Sequence, residues 1–178
     1  MAAKAVKENA PRVLGLARIG LGFVFLWAFF DKLFGLGFAT CRSAETDAID
    51  VLCGRAWLEG GSPTSGFLNF GTHGPFADFY QGLAGNTVVD WLFMLGLLGV
   101  GLGLTFGLAI RLAAVSGTLM MGMMYTAAWP PENHPFIDDH IIYALVLLGL
   151  WRIGADRVLG AGKWWATQAA VKRWPILR

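Results

Sequence analysis

Three long apolar runs stand out along the chain. Val13–Phe30 holds one charge, Arg18, while Trp91–Ile110 and Leu112–Trp129 hold none. A helix rises 1.5 Å per residue, so runs of about 18–20 residues reach roughly 27–30 Å, the thickness of a bilayer's hydrocarbon core. A fourth run, Ile141–Trp151, is too short alone. Extended to Phe136 and Gly154 it becomes long enough, with Asp138, Asp139, His140 and Arg152 at its ends. The pattern predicts an all-α integral membrane protein, a single domain over residues 1–178, built as an up-down bundle of four transmembrane helices. The expected spans are about 12–36, 88–110, 112–130 and 136–154.

The segment of about 38–87 between the first two spans is too long for a turn and predicts an extracytoplasmic cap. Within it, Ala48, Val51, Leu52, Arg55 and Ala56 recur at three-to-four spacing and predict a helix over Ser43–Glu59. Gly60-Gly61-Ser62-Pro63 breaks the chain, and Pro75–Gly82 predicts a second short helix on the membrane surface. The tail, about 160–178, contains Lys163–Trp174, where tryptophans alternate with basic residues. That mixture reads as an interfacial helix on the cytoplasmic surface, with partner docking as the other reading.

Charge decides whether the fourth segment crosses. With four spans and both termini cytoplasmic, the inner side carries Lys4, Lys7, Arg12, Arg111, Arg152, Arg157, Lys163, Lys172, Arg173 and Arg178, and the outer side only Lys32, Arg42 and Arg55. Cytoplasmic enrichment of lysine and arginine is the strongest sequence rule for orientation. Composition agrees: 56% hydrophobic and 15% charged residues cannot cover a water-facing surface of ordinary polarity. A net charge of +2 leaves no basic face for nucleic acid. The apolar part of the first run exceeds that of a signal peptide and no Ala-x-Ala site follows, so the first helix is expected to stay attached. The location expected is a bacterial plasma membrane.

Cys41 and Cys53 both fall in the cap, outside the reducing cytoplasm. A disulfide between them would staple the cap; a redox-active dithiol is the other reading, although the spacing does not match Cys-x-x-Cys. Gly99, Gly103 and Gly107, with Gly96, form a four-residue stripe suited to close helix packing. Met120, Met121, Met123 and Met124 point around most of a helix and read as flexible apolar filling rather than soft-metal ligands.

Ionisable groups at membrane depth are costly and therefore candidates for function. Arg18 either snorkels toward the inner headgroups or holds a partner inside the bundle. The outer end is richer. Trp27, Asp31 and Lys32 close the first span, while Asp138, Asp139, His140 and Tyr143 open the fourth. An up-down bundle brings these ends to one face. The helix dipole accounts for acids at the start of the fourth span but not for His140. A histidine beside carboxylates suits proton exchange with a reducible quinone, on which Trp27 or Tyr143 would stack. His73, His134 and His140 with Asp138 have metal-ligand chemistry but no recognised spacing, so no metal is expected.

The blocks FLWAFFDKLFGLGFAT with Arg18 nine residues before Trp27, AWLEGGSPTSGFL, GPFADF, DWLFMLGLLGVG and HPFIDDHIIYALVLLGL together resemble actinobacterial DoxX/DoxD-type membrane proteins, over residues of about 11–167. The resemblance implies four helices and a subunit of a quinone-linked oxidoreductase, with thiosulfate or a related sulfur compound as electron donor. On that reading Asp31, Lys32, Asp138, Asp139 and His140 would serve catalysis, and Trp27, Tyr143 and Arg18 would hold the quinone. No flavin, haem or iron–sulfur motif is present. Expected partners are membrane lipids, quinone, and a second oxidoreductase subunit or respiratory complex, with self-association left open. The alternative is a non-enzymatic membrane subunit that orients a partner in a redox complex.

Overall fold

The structure is a computed structural model that describes residues 2–132 and 134–177, with side chains from Pro11 onward. Among the described residues it is all-helical, with isolated bridges in place of strands. Four helices form the body: α1 (Ala2–Phe34), then after two short cap helices, α2 (Ser65–Phe70) and α3 (Ala77–Gln81), come α4 (Thr87–Phe106), α5 (Ile110–Ala127) and α6 (Asp139–Arg152). Two short helices, α7 (Gly162–Trp165) and α8 (Ala169–Arg173), follow. Two segments, Pro11–Phe34 and Thr87–Phe106, are long and apolar enough to cross a membrane. At 14 residues α6 reaches only about 21 Å.

Packing runs α1 on α4, α4 on α5 and α5 on α6, and the 3-10 turn Ala155–Arg157 after α6 returns to α1. The shared core takes one face of each helix: Leu21, Phe25 and Phe29 from α1; Met94, Leu97, Val100 and Leu104 from α4; Ile110, Ala113, Ala114 and Met121 from α5; Leu147 and Leu150 from α6. These positions recur every three or four residues, the spacing that keeps side chains on one helical face. The opposite faces are apolar too. Leu16, Phe23, Val88, Leu92, Leu112, Leu119, Ile142 and Leu145 are all exposed, so each of the four helices presents hydrocarbon outward. A water-soluble monomer rarely carries so much contiguous apolar surface.

α1 and α4 approach each other closely at two glycines. A Cβ on Gly22 would stand 2.6 Å from the Thr105 backbone nitrogen, and one on Gly101 would stand 2.7 Å from Leu26. Of the predicted stripe, only Gly103 meets a neighbouring helix closely, at Ala113 of α5. Gly99 faces open space, Gly96 meets only the end of the Met120 side chain, and Gly107 ends α4 in the left-handed region at φ 70°. The contact that sets the α1–α4 distance thus uses Gly22, outside the expected stripe.

The cap departs from expectation at its first half. Ser43–Glu59 is not a helix; only Trp57–Glu59 forms a 3-10 turn, and the preceding chain is turns around an Arg42–Ile49 bridge. A disulfide joins Cys41 to Cys53 with Cα atoms 5.7 Å apart. Ten residues of helix between them would separate those atoms by about 15 Å, so a continuous helix there and this bond are incompatible. The backbone instead folds on itself, with Asp50 N–H donating to Cys41 O and Leu52 N–H to Phe34 O. The tail also differs from one interfacial helix, since α7 and α8 are separated by Ala166–Gln168.

Overpacking the α1–α4 contact is expected to be costly. Gly22→Val should destabilise the bundle by about 1–3 kcal/mol, while Gly20→Ala, where a Cβ meets nothing within 4 Å, should hold or raise stability. Thermal unfolding of the two variants in detergent micelles measures the difference.

Candidate functional site

α6 begins where the sequence puts its chemistry. Asp138 is the N-cap: its carboxylate accepts from the Ile141 N–H at 3.1 Å, meeting one of the donors a helix start leaves unpaired. The other carboxylate oxygen lies 2.6 Å from His140 Nδ1, and Asp139 Oδ1 lies 3.6 Å from the same nitrogen. The Asp138 and His140 side chains are each 18% exposed, whereas Asp139 is 72% exposed. The pair is therefore a partly sheltered acid–imidazole couple, with Asp139 adding negative charge from the solvent side. Tyr143, one turn on, packs half-buried against the main core. Chemically the couple can hold a proton on His140 Nδ1 against the Asp138 carboxylate and leave Nε2 to exchange one.

The residues at the end of α1 serve a different cluster. Asp31 is almost wholly buried, and its two oxygens accept from the Phe38 N–H at 2.9 Å and the Ala39 N–H at 3.0 Å. It fixes the turn by which the chain leaves α1 for the cap. Lys32 extends over the Phe93 ring of α4, with Nζ 6.0 Å from the centroid. Trp27 is exposed beside Phe23. Among the described residues, neither Asp31 nor Lys32 bonds to Asp138, Asp139 or His140. Asp31 and Lys32 stand on α1, which packs on α4, and Asp138–His140 on α6, which packs on α5; no hydrogen bond or ion pair joins the two groups among the described residues.

The remaining histidines are engaged by backbone. His73 Nε2 is 3.0 Å from Pro130 O, and His134 Nδ1 accepts from the Phe136 and Ile137 N–H groups at 3.1 and 3.0 Å. His73 and His134 are thus tied to separate stretches of chain.

Arg18 sits at the opposite end of the bundle, fully buried. Its guanidinium donates to the carbonyls of Leu104 and Thr105, where α4 ends, and to Ala155, Val158 and Leu159 after α6. It neither snorkels nor faces an open cavity. Its five donors serve Thr105 O, share Leu104 O with the Gly107 N–H, and tie the chain beyond α6 back to α1.

Asp90 is a buried carboxylate that the sequence reading passed over. It accepts from Ser62 Oγ at 2.9 Å, Thr64 N–H at 3.3 Å and Thr64 Oγ1 at 2.5 Å, and so pins the cap to α4. A lone acid directly before an apolar run looks like a span boundary. The signal that it does more is the Ser62-Pro63-Thr64 turn, whose hydroxyls need an acceptor. No protein-family model, curated protein or solved structure matches this chain.

Removing the guanidinium should take the donor from the part-buried Thr105, Val158 and Leu159 carbonyls and one of two donors from those of Leu104 and Ala155, each lost bond being worth about 1 kcal/mol. Arg18→Leu is expected to lose at least about 3 kcal/mol, with Arg18→Lys recovering only part because it cannot span both chain segments. Chemical-denaturant unfolding in mild detergent, followed by helical circular dichroism, checks the order.

Proposed function

We propose that this chain is a four-span plasma-membrane protein of the DoxX/DoxD type, with both termini cytoplasmic, acting as the membrane subunit of a quinone-linked oxidoreductase. Four spans are supported by the outward hydrocarbon on all of α1, α4, α5 and α6 and by the ten-to-three division of basic residues across the bundle. The resemblance of the sequence blocks supports the family and the reaction class.

The observation that carries the site is the sheltered Asp138–His140 couple, 2.6 Å apart at the outer start of α6. Reduction of a quinone consumes two electrons and two protons. Oxidation of two thiosulfate anions to tetrathionate releases two electrons as the new S–S bond forms, so the two half-reactions balance. His140 would pass protons to the quinone oxygens from Nε2, with Asp138 holding the ring in place through Nδ1. Tyr143 supplies an aromatic neighbour one turn away, and Lys32 at the neighbouring cluster draws an oxyanion toward the outer face. Electrons pass directly from sulfur to quinone or through a cofactor on a partner subunit.

A second reading, the non-enzymatic subunit that orients a partner, is favoured by a specific observation: Asp31, Asp90 and Arg18 are each bonded within the chain itself. Their chemistry is spent on shape.

Purified protein with thiosulfate and a short-chain quinone tests the first reading. His140→Ala should lower quinone reduction about 100-fold or more, the range expected for loss of a general acid–base, and Asp138→Asn should lower it less. An unchanged rate in His140→Ala overturns the site. A chain that turns over nothing alone yet is recovered from native membranes with a larger oxidoreductase establishes the second reading.

A further inference from the structure

A different cavity lies at the opposite end of the bundle from Asp138 and His140. It encloses about 730 Å³ between the start of α5, the end of α6 and the folded-back tail. Four cations line it, Arg111, Arg152, Arg157 and Lys163, against one carboxylate, Asp156. Among the described residues none of the four is in an ion pair.

Their geometry is organised. The Arg111 and Arg152 guanidinium carbons lie 5.7 and 4.7 Å from the centroid of the Trp151 ring, so one indole gathers two guanidinium groups. Held by the ring, their N–H edges remain available for an anion, and the planar fork of arginine matches phosphate oxygens two at a time. The far wall is fixed as well, because Trp165 Nε1–H donates to Leu177 O at 2.6 Å and folds the tail, with Pro175, over the cavity. Around the site the surface turns apolar: Ile153, Leu159 and Trp164 are exposed. A soluble anion makes no use of that apolar rim, whereas a phosphate carried on acyl chains does. Basic pockets between helix ends at the cytoplasmic face are where acidic lipid headgroups bind.

We infer that this cavity binds the phosphodiester headgroup of an acidic phospholipid, with Arg111 and Arg152 gripping the phosphate, Arg157 and Lys163 completing the charge, and the acyl chains lying along Ile153 and Trp164. The inference rests on the membrane reading but not on the proposed redox chemistry.

Native mass spectrometry of the intact protein, released from neutral detergent after addition of phosphatidylglycerol, phosphatidylcholine or inorganic phosphate, tests it. Phosphatidylglycerol should be retained at least tenfold more tightly than phosphatidylcholine. Arg111→Gln with Arg152→Gln should erase that preference, and Arg157→Gln with Lys163→Gln, at exposed positions, provides a second pair should the first fail to fold. Arg42→Gln, in the cap, should change nothing. Equal retention of the two lipids, or full preference in both double variants, overturns the proposal. Inorganic phosphate displacing the lipid at equal concentration assigns the cavity to a soluble anion and overturns the lipid assignment. Resistance of the protein to alkaline extraction from membranes is measured alongside. Extraction with lipid preference intact would retire the spans alone, and resistance without preference would retire the cavity alone.

Discussion

A guanidinium buried in a helical bundle must find acceptors for all its donors, and Arg18 finds them in backbone that belongs to two other parts of the chain. Leu104 and Thr105 end α4; Ala155, Val158 and Leu159 follow α6. The Leu104 and Ala155 carbonyls share this donor with the Gly107 and Val158 N–H groups, while those of Thr105, Val158 and Leu159 depend on it more fully. One side chain therefore closes this end of the bundle and sets where the tail begins. The basic cavity depends on that closure, since Asp156 and Arg157 lie on the turn that Arg18 holds.

The opposite end is organised by the same logic with the charge reversed. Asp31 accepts from the chain leaving α1, and Asp90 accepts from the cap where it reaches α4. At the other end of the same helix pair, one turn from Arg18, the Gly22–Thr105 approach lets α1 and α4 lie close enough to share a core. Asp138 repeats the theme at α6 but with a difference, because its second oxygen is given to an imidazole rather than to backbone. Of these three carboxylates it is the one paired with an imidazole.

The helical body was legible because apolar runs without charge have few other ways to satisfy their backbone. Val13–Phe30 and Trp91–Ile110 fall within or largely within α1 and α4. The cysteine pairing was legible from compartment and count. The cap was not, because Ala48, Val51 and Leu52 at helical spacing say nothing about a covalent bond that forbids the helix. Arg18 was legible as unusual but not as a knot, since its acceptors are carbonyls, which every residue has. The grouping of Asp31 and Lys32 with His140 assumed that adjacent ends in an up-down bundle converge. In the packing order α1 lies on α4 and α6 on α5, and no bond joins the two groups among the described residues.

The Cys41–Cys53 bond has a consequence for how the molecule matures. Its left-handed Cys41 and the tight turns around it are held by a link that the reducing interior of a cell does not allow to form. The finished shape of this loop thus waits on an oxidising environment, and the oxidation state of two sulfurs records whether a given copy has met one.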